Sequence, residues 1–148
     1  MKLKQMMTHP LVSVELDDTL ATVKTIFDDN KFHHVLVIDN GQLQGVISDR
    51  DLLRSISPNV NTVAARARDQ ATLGRKAHQI MTRDLITLNE NCHLKEAVEV
   101  FDQNKISCIP VIDDEGKPIG ILSWRDIIRA LSGYFKAREK NTKEPLIK

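Results

Sequence analysis

Two short stretches carry the side chains best suited to chemistry, Ser48-Asp49-Arg50-Asp51 and Ser123-Trp124-Arg125-Asp126. Each has serine three residues before an aspartate, and each follows a glycine, Gly45 or Gly120, by three residues. An aspartate one turn into a helix can accept hydrogen bonds from both hydroxyls of a ribose, while the helix start offers free N–H groups and a positive dipole end to a phosphate. Ser48 and Ser123 can bond a phosphate or sugar oxygen, and the glycines leave room for a ring or sugar to approach the backbone. A second reading is open: Ser-x-x-Asp is close to a capping box, which satisfies the first N–H groups of a helix and contributes about 1 kcal/mol. Arg50 and Arg125 precede the aspartates and either point at phosphate or cover surface. Trp124 stands where the first stretch has Asp49, and its ring can stack on a base or cover an interface.

The remaining candidates do not assemble into catalytic or metal chemistry. His33 and His34 are adjacent, and adjacent residues on a strand point to opposite faces, which makes it hard for both to ligate one ion. Cys92 and Cys108 lack the spacing of a paired-cysteine zinc site or a disulfide scaffold and suit a reducing compartment. No HExxH, GxSxG or P-loop pattern is present. The expectation is a protein with no catalytic residues, no metal and no cofactor in the strict sense.

The elements that must position these residues come in duplicate. Met7-Thr8, Val12 to Val14, Val35 to Asp39 and Gly45 to Asp51 recur as Met81-Thr82, Ile86 to Leu88, Ile109 to Asp113 and Gly120 to Asp126. A unit with half-exposed apolar faces is usually stable only when packed on a sibling. In each copy a short apolar alternation precedes a helical stretch, Thr19 to Asn30 and Cys92 to Asn104, where Leu20, Val23, Phe27 and Leu94, Ala97, Val98, Phe101 form one stripe. Two strands follow, joined at Asp39-Asn40-Gly41-Gln42 or Asp113-Asp114-Glu115-Gly116, where asparagine and glycine favour positive φ. Ser48 and Ser123 then open a helix whose apolar residues are Leu52, Leu53, Ile56 and Ile127, Ile128, Leu131. The order is strand, helix, strand, strand, helix, twice: an α/β (α+β) chain. Between the copies, Pro58, Asn61-Thr62, Val63, Ala64, Ala67 and Ala71 predict an alanine-rich helix stopping at Gly74, with Arg66 and Arg68 toward water.

Composition narrows the function classes. The 148 residues are 41% hydrophobic and 28% charged, ordinary for a globular chain with one sizeable core. No run approaches the ~20 apolar residues of a membrane helix, and the polar Met1-Lys2-Leu3-Lys4-Gln5 does not resemble a signal peptide, so a cytoplasmic location is expected. The net charge of +1 is unevenly spread: Arg54 to Asp84 holds six Lys/Arg against two acids and Lys136 to Lys148 five against two. That basic linker and tail could attract nucleic acid or another polyanion, but it lacks interleaved aromatics and any reader motif.

Met-Thr opening each copy and Gly-h-h-Ser-x-x-Asp (h apolar) closing it resemble a tandem pair of cystathionine-β-synthase (CBS) domains, a Bateman module. The resemblance implies CBS motif 1 at 1–57, a helical linker at 58–79, CBS motif 2 at 80–135 and a basic tail at 136–148. It further implies two motifs packed through their sheets with pseudo-two-fold symmetry, and a homodimer. By the same resemblance, clefts between the motifs bind an adenosine-containing ligand such as AMP, ADP, ATP, NAD or S-adenosylmethionine. Ser123 and Asp126 would face Leu11, Val12, Phe32, His33 and His34; Ser48 and Asp51 would face Leu85, Ile86, Ile106, Ser107 and Cys108. The histidines make the first of these the better phosphate candidate, since imidazolium adds positive charge near physiological pH. The implied function is a regulatory sensor that signals ligand occupancy to an effector protein. The alternatives are a ligand-free protein-docking or scaffold module, and polyanion binding through the basic segments.

Overall fold

The computed structural model describes residues 1–8 and 11–142. The packing divides into two compact units, one of Val12–Ile86 with Gly116–Pro118, the other of Met1–Leu11, Thr87–Glu115 and Ile119–Lys148. The predicted order of elements is present twice.

In the first unit, β1 (Ser13–Val14) leads through α1 (Leu20–Asp29) to β2 (His34–Asp39), which turns into β3 (Gln42–Ser48) and α2 (Asp49–Ser55). The sheet order is β1-β2-β3. β1 runs parallel to β2, with Val14 beside Val37, because a helical crossover returns the chain in the same direction. β2 and β3 are antiparallel, joined at Asn40 (φ 49°) and Gly41 (φ 74°), the left-handed conformations a two-residue hairpin demands. Thr19 caps α1 by accepting the Thr22 N–H, and Leu20 and Val23 are fully buried. They join Val14, Val35, Val37, Ile47 and Leu52 in one core, where each large aliphatic side chain contributes about 1.5–3 kcal/mol.

The second unit repeats the scheme with β4 (Leu88–Asn89), α5 (Leu94–Gln103), β5 (Cys108–Ile112), β6 (Pro118–Ser123) and α6 (Trp124–Thr142). Its sheet order is β4-β5-β6, with β4 parallel to β5. Ala97, Ile109, Val111, Leu122 and Ile127 form its core.

The opening segment of each repeat packs into the unit built from the other repeat's strands. Leu3, in a 3-10 turn at Leu3–Gln5, and Met7 belong to the core of the second unit. Ala77, in α4 (Ala77–Ile80), and Met81 belong to the core of the first. Thr8 pairs with Ile121 and Thr82 with Val46 as isolated bridges, Thr8 N–H donating to Ile121 O at 2.9 Å and Thr82 N–H to Val46 O at 2.9 Å. The Met-Thr signature is therefore a clasp: its methionine enters an apolar core and its threonine backbone extends a sheet edge.

Several expectations are corrected. The linker helix is short, α3 (Ala67–Ala71), followed by a 3-10 turn at Thr72–Gly74. It starts not at Asn61-Thr62 but at Arg66, whose N–H donates to Asp69 Oδ2 at 2.8 Å. Val63 is fully exposed, so the sequence before Arg66 has no apolar stripe to bury. Arg66 and Arg68 face water as expected. Leu53, Ile128 and Leu131 are exposed rather than buried, because only one residue per turn, Leu52 or Ile127, reaches the core. Finally, α6 continues to Thr142, well into the expected tail; residues 143–148 of that tail lie outside the described residues.

Candidate functional site

In the first unit the β2/β3 register places His34 opposite Ser48, so the chain leaves β3 for α2 directly beside the start of β2. Ser48 is the N-cap: its Oγ accepts the Asp51 N–H at 3.1 Å, and its own N–H donates to Asp51 Oδ2 at 2.9 Å. This reciprocal box uses one carboxylate oxygen of Asp51. Oδ1 accepts no hydrogen bond from the described residues. The loop before β2 docks on the same helix start, Asp49 N–H donating to His33 O at 2.9 Å while His33 Nδ1 lies 2.8 Å from Asp49 Oδ2. The half-buried His34 is held below its ordinary pKa of 6.5, chiefly by burial, against the opposing pull of the Asp49 carboxylate; His33 lowers it further, Asp51 raises it and Arg50 lowers it. Neutral imidazole is therefore its form near pH 7, and His34 is not the cation expected of it. What the arrangement offers is a half-buried carboxylate oxygen, two imidazoles and the exposed Arg50, a set able to bind vicinal hydroxyls and an anion.

The second unit uses the same box differently. Asp126 Oδ2 accepts both the Ser123 N–H at 2.7 Å and the Ser123 hydroxyl at 2.9 Å, and Arg129 Nη1 lies 3.4 Å from Oδ1. Asp126 is only 7% exposed, so both of its oxygens are engaged. Arg125 is exposed and sits 5.9 Å from the centre of the Trp124 ring.

The glycines serve a different contact from the one anticipated. A Cβ on Gly45 would fall 2.6 Å from Met81 Sδ, and a Cβ on Gly120 would fall 2.6 Å from Met7 Sδ. Each glycine thus admits the methionine of the clasp. Val12 is packed against the core of the first unit, while Ile86 is exposed. Ser107 is exposed and Cys108, half-buried and not in a disulfide, opens β5. The sequence reading missed Asp49 as the partner of His33 and Arg129 as the partner of Asp126. The first pairing crosses 16 residues and becomes visible only once the hairpin register is known. The second is an i, i+3 pair on a helix and was open to a spacing argument. Among the described residues no group of three or more His, Cys, Asp or Glu side chains could hold a metal ion, and no helix is long and apolar enough to cross a membrane.

Comparison with known proteins matches this duplicated architecture. The family model of the CBS domain matches residues 3–58 and again 77–133. A CBS domain-containing protein of Dictyostelium discoideum is 30% identical, over 86% of this chain and 89% of its own length. Among solved structures, CBSX2 in complex with AMP is 26% identical with a TM-score of 0.72, covering 90% of this chain and 97% of that one. A CBS domain pair in complex with 5'-methylthioadenosine and S-adenosyl-L-methionine shares the fold at a TM-score of 0.74 and 22% identity, over 90% of this chain and 98% of that one. The chain spans 45%, 35% and 25% of the lengths of three relatives from Methanocaldococcus jannaschii, the last an inosine-5'-monophosphate dehydrogenase to which it is 26% identical over 94% of this chain.

Proposed function

Because the chain belongs to the CBS domain family, we propose that it is a regulatory module that binds an adenosine-containing ligand and signals occupancy to a partner protein, working as a homodimer without catalysing a reaction. The observation that carries this reading is the repeated Ser-x-x-Asp at a helix start, with Asp51 Oδ1 left without a donor beside His33 and His34. Asp51 takes ribose hydroxyls on its unclaimed oxygen; Asp126 does so by giving up the long contact to Arg129. Ser48 and Ser123 keep the carboxylates aimed, and Arg50, Arg125 and the histidines meet the anionic end. Within the first unit Val12 and Ile86, and within the second Ser107 and Cys108, are the candidate adenosine contacts, and Gly45 and Gly120 act through the methionines they admit. The reading is supported by CBSX2, solved with AMP, and by a domain pair solved with two adenosyl compounds.

Thermal unfolding with AMP, ADP, ATP, NAD and S-adenosylmethionine tests it. A true ligand at about a hundred times its dissociation constant adds roughly 2.7 kcal/mol, which raises the midpoint of a chain this size by several degrees. Asp51→Asn, which preserves an acceptor for the Ser48 N–H, should lose most of that shift and Asp126→Asn part of it. A flat response of the unsubstituted protein to all five compounds would overturn the reading.

A further inference from the structure

α3 runs without a break into the 3-10 turn at Thr72–Gly74, since Ala71 and Thr72 keep right-handed helical dihedrals. The five residues of α3 and the three of the turn together span about 14 Å. Arg66 and Arg68 stand at one end of this segment and Arg75 and Lys76 at the other; the arginines are exposed and Lys76 is half-buried. The one acid between them, Asp69, works inward. It is 8% exposed, its Oδ1 accepting the Ser57 hydroxyl at 2.7 Å and its Oδ2 the Arg66 N–H at 2.8 Å. The Ser57 N–H donates to Thr72 Oγ1 at 3.0 Å, and the Thr72 hydroxyl donates to Asp69 O at 2.6 Å. This network pins the segment to the end of α2, where Arg75 Nη1 reaches Ser55 O at 3.4 Å. Carboxylates on the neighbouring elements are engaged elsewhere or stand apart. Asp18 accepts the Glu15 N–H, Asp17 faces His78 Nε2 at 3.7 Å, Asp28 pairs with Lys24, and Asp84 lies beyond α4 next to Arg83. None of Arg66, Arg68, Arg75 and Lys76 forms an ion pair with a carboxylate of the described residues.

We propose that this face of the linker binds the phosphate backbone of a nucleic-acid duplex without reading its sequence. Its composition decides against a protein partner. Tight protein docking centres on buried apolar or aromatic anchors, and here no Phe, Tyr or Trp stands between Arg54 and Ile86, while the exposed residues between the cations are Ala67, Gln70, Ala71 and Gly74. Phosphates ask for less: guanidinium forks, an ammonium and a few polar donors hold them. The same lack of aromatic rings removes the stacking platform that a single strand needs, which favours a duplex. The 14 Å between the two cation pairs equals about four base-pair steps of ~3.4 Å, so both pairs reach phosphates of one duplex. With Asp69 held inward and the segment pinned to α2, the cations are presented before any ligand arrives, and little ordering is left to oppose binding. The proposal goes beyond the adenosyl-ligand reading and does not depend on it.

Fluorescence anisotropy of an end-labelled duplex of about 20 base pairs, titrated with the full chain, tests the proposal, with DNA and RNA duplexes in separate arms. About four phosphate contacts give a slope of log K against log salt near −3.6 on DNA, so affinity should fall about 100-fold from about 50 to about 200 mM salt. Arg66→Gln with Arg68→Gln, and separately Arg75→Gln with Lys76→Gln, should each halve the slope, so that the same salt step costs only about tenfold. Two duplexes of unrelated sequence should bind within about twofold of each other. A preference for the DNA or the RNA arm names the polymer, and either upholds the face. The four positions are outside the hydrophobic cores, so circular dichroism and melting of the variants should match the parent. No binding at about 50 mM salt with the chain at about 100 µM would overturn the proposal. So would binding that both paired variants retain with the parental slope, which assigns the attraction to the basic residues from Lys136 onward. Polyglutamate displacing the labelled duplex as effectively, charge for charge, as unlabelled duplex would assign the face to an acidic protein and overturn it likewise.

Discussion

Asp51 and Asp126 occupy one place in two copies of one motif, yet their carboxylates are spent differently, and small local contacts decide how. Gly45 and Gly120, by contrast, are used alike, the missing side chain of each being filled by methionine sulfur. Gly45→Ala should therefore cost about 1–3 kcal/mol by overpacking, whereas Gly74→Ala, with nothing within 4 Å, should stay within about 0.5 kcal/mol. Urea unfolding of the two variants decides it; equal, small effects would mean that Met81 yields freely. Titration adds a second prediction at this scale. Burial lowers the pKa of His34 below 6.5, so in the window beneath 6.5 the unfolded chain binds a proton the native chain refuses, and stability falls as pH falls. His34→Gln should flatten that slope of the unfolding free energy. Asp69 acts lower on the scale. The Ser57 hydroxyl, followed by the Arg66 N–H, holds its pKa below 3.8, so the stability it contributes is complete above that value and is lost only as pH drops further.

At the scale of elements, strands and helices were largely readable because period and punctuation agree. Thr19 caps α1, Asn40-Gly41 makes the hairpin, and Ser48 opens α2, each where local chemistry placed it. What could not be read were features that depend on which neighbour is present. Leu53 and Ile128 have the composition of core residues, but whether a helix flank is covered depends on tertiary packing. Alanine content suggested a long linker helix, yet helical propensity without an apolar face to bury is weak, and in that stretch only the five residues that follow the Arg66 N-cap are α-helical. The candidate site was half readable. Its serines and aspartates are in the motif, while the His33–Asp49 contact needed the register. The exposed end of α6 offers a direct check on propensity. Gly133 sits within it with nothing within 4 Å of a potential Cβ, so Gly133→Ala should stabilise the helix by about 0.5–1 kcal/mol. Far-UV circular dichroism should gain helical signal; a loss would mean that the glycine is needed for contacts absent from the isolated chain.

For the whole molecule, the consequence of the clasp is that covalent repeat and cooperative unit are cut at different places. Leu3 and Met7 precede the first repeat's strands but are buried with Ile109, Val111 and Leu122 of the second, and Ala77 and Met81 are buried with Val35, Val37 and Ile47 of the first. Each repeat thus lends the other two core side chains through its opening segment, and neither core is complete within one repeat. Removing a buried methionine side chain typically costs about 2–5 kcal/mol, and the loss should loosen the unit that holds the side chain before the rest. Met81→Ala should therefore accelerate amide exchange in β2 and β3, more than 30 residues earlier in the chain, and leave β5 and β6 closer to the parent. Met7→Ala should do the reverse, accelerating exchange in β5 and β6 although it lies next to the first repeat in sequence. Hydrogen exchange read by mass spectrometry on the intact chain separates the two patterns. If Met7→Ala loosened β2 and β3 instead, each opening segment would belong energetically to its own repeat, and the two cores would have to be redrawn.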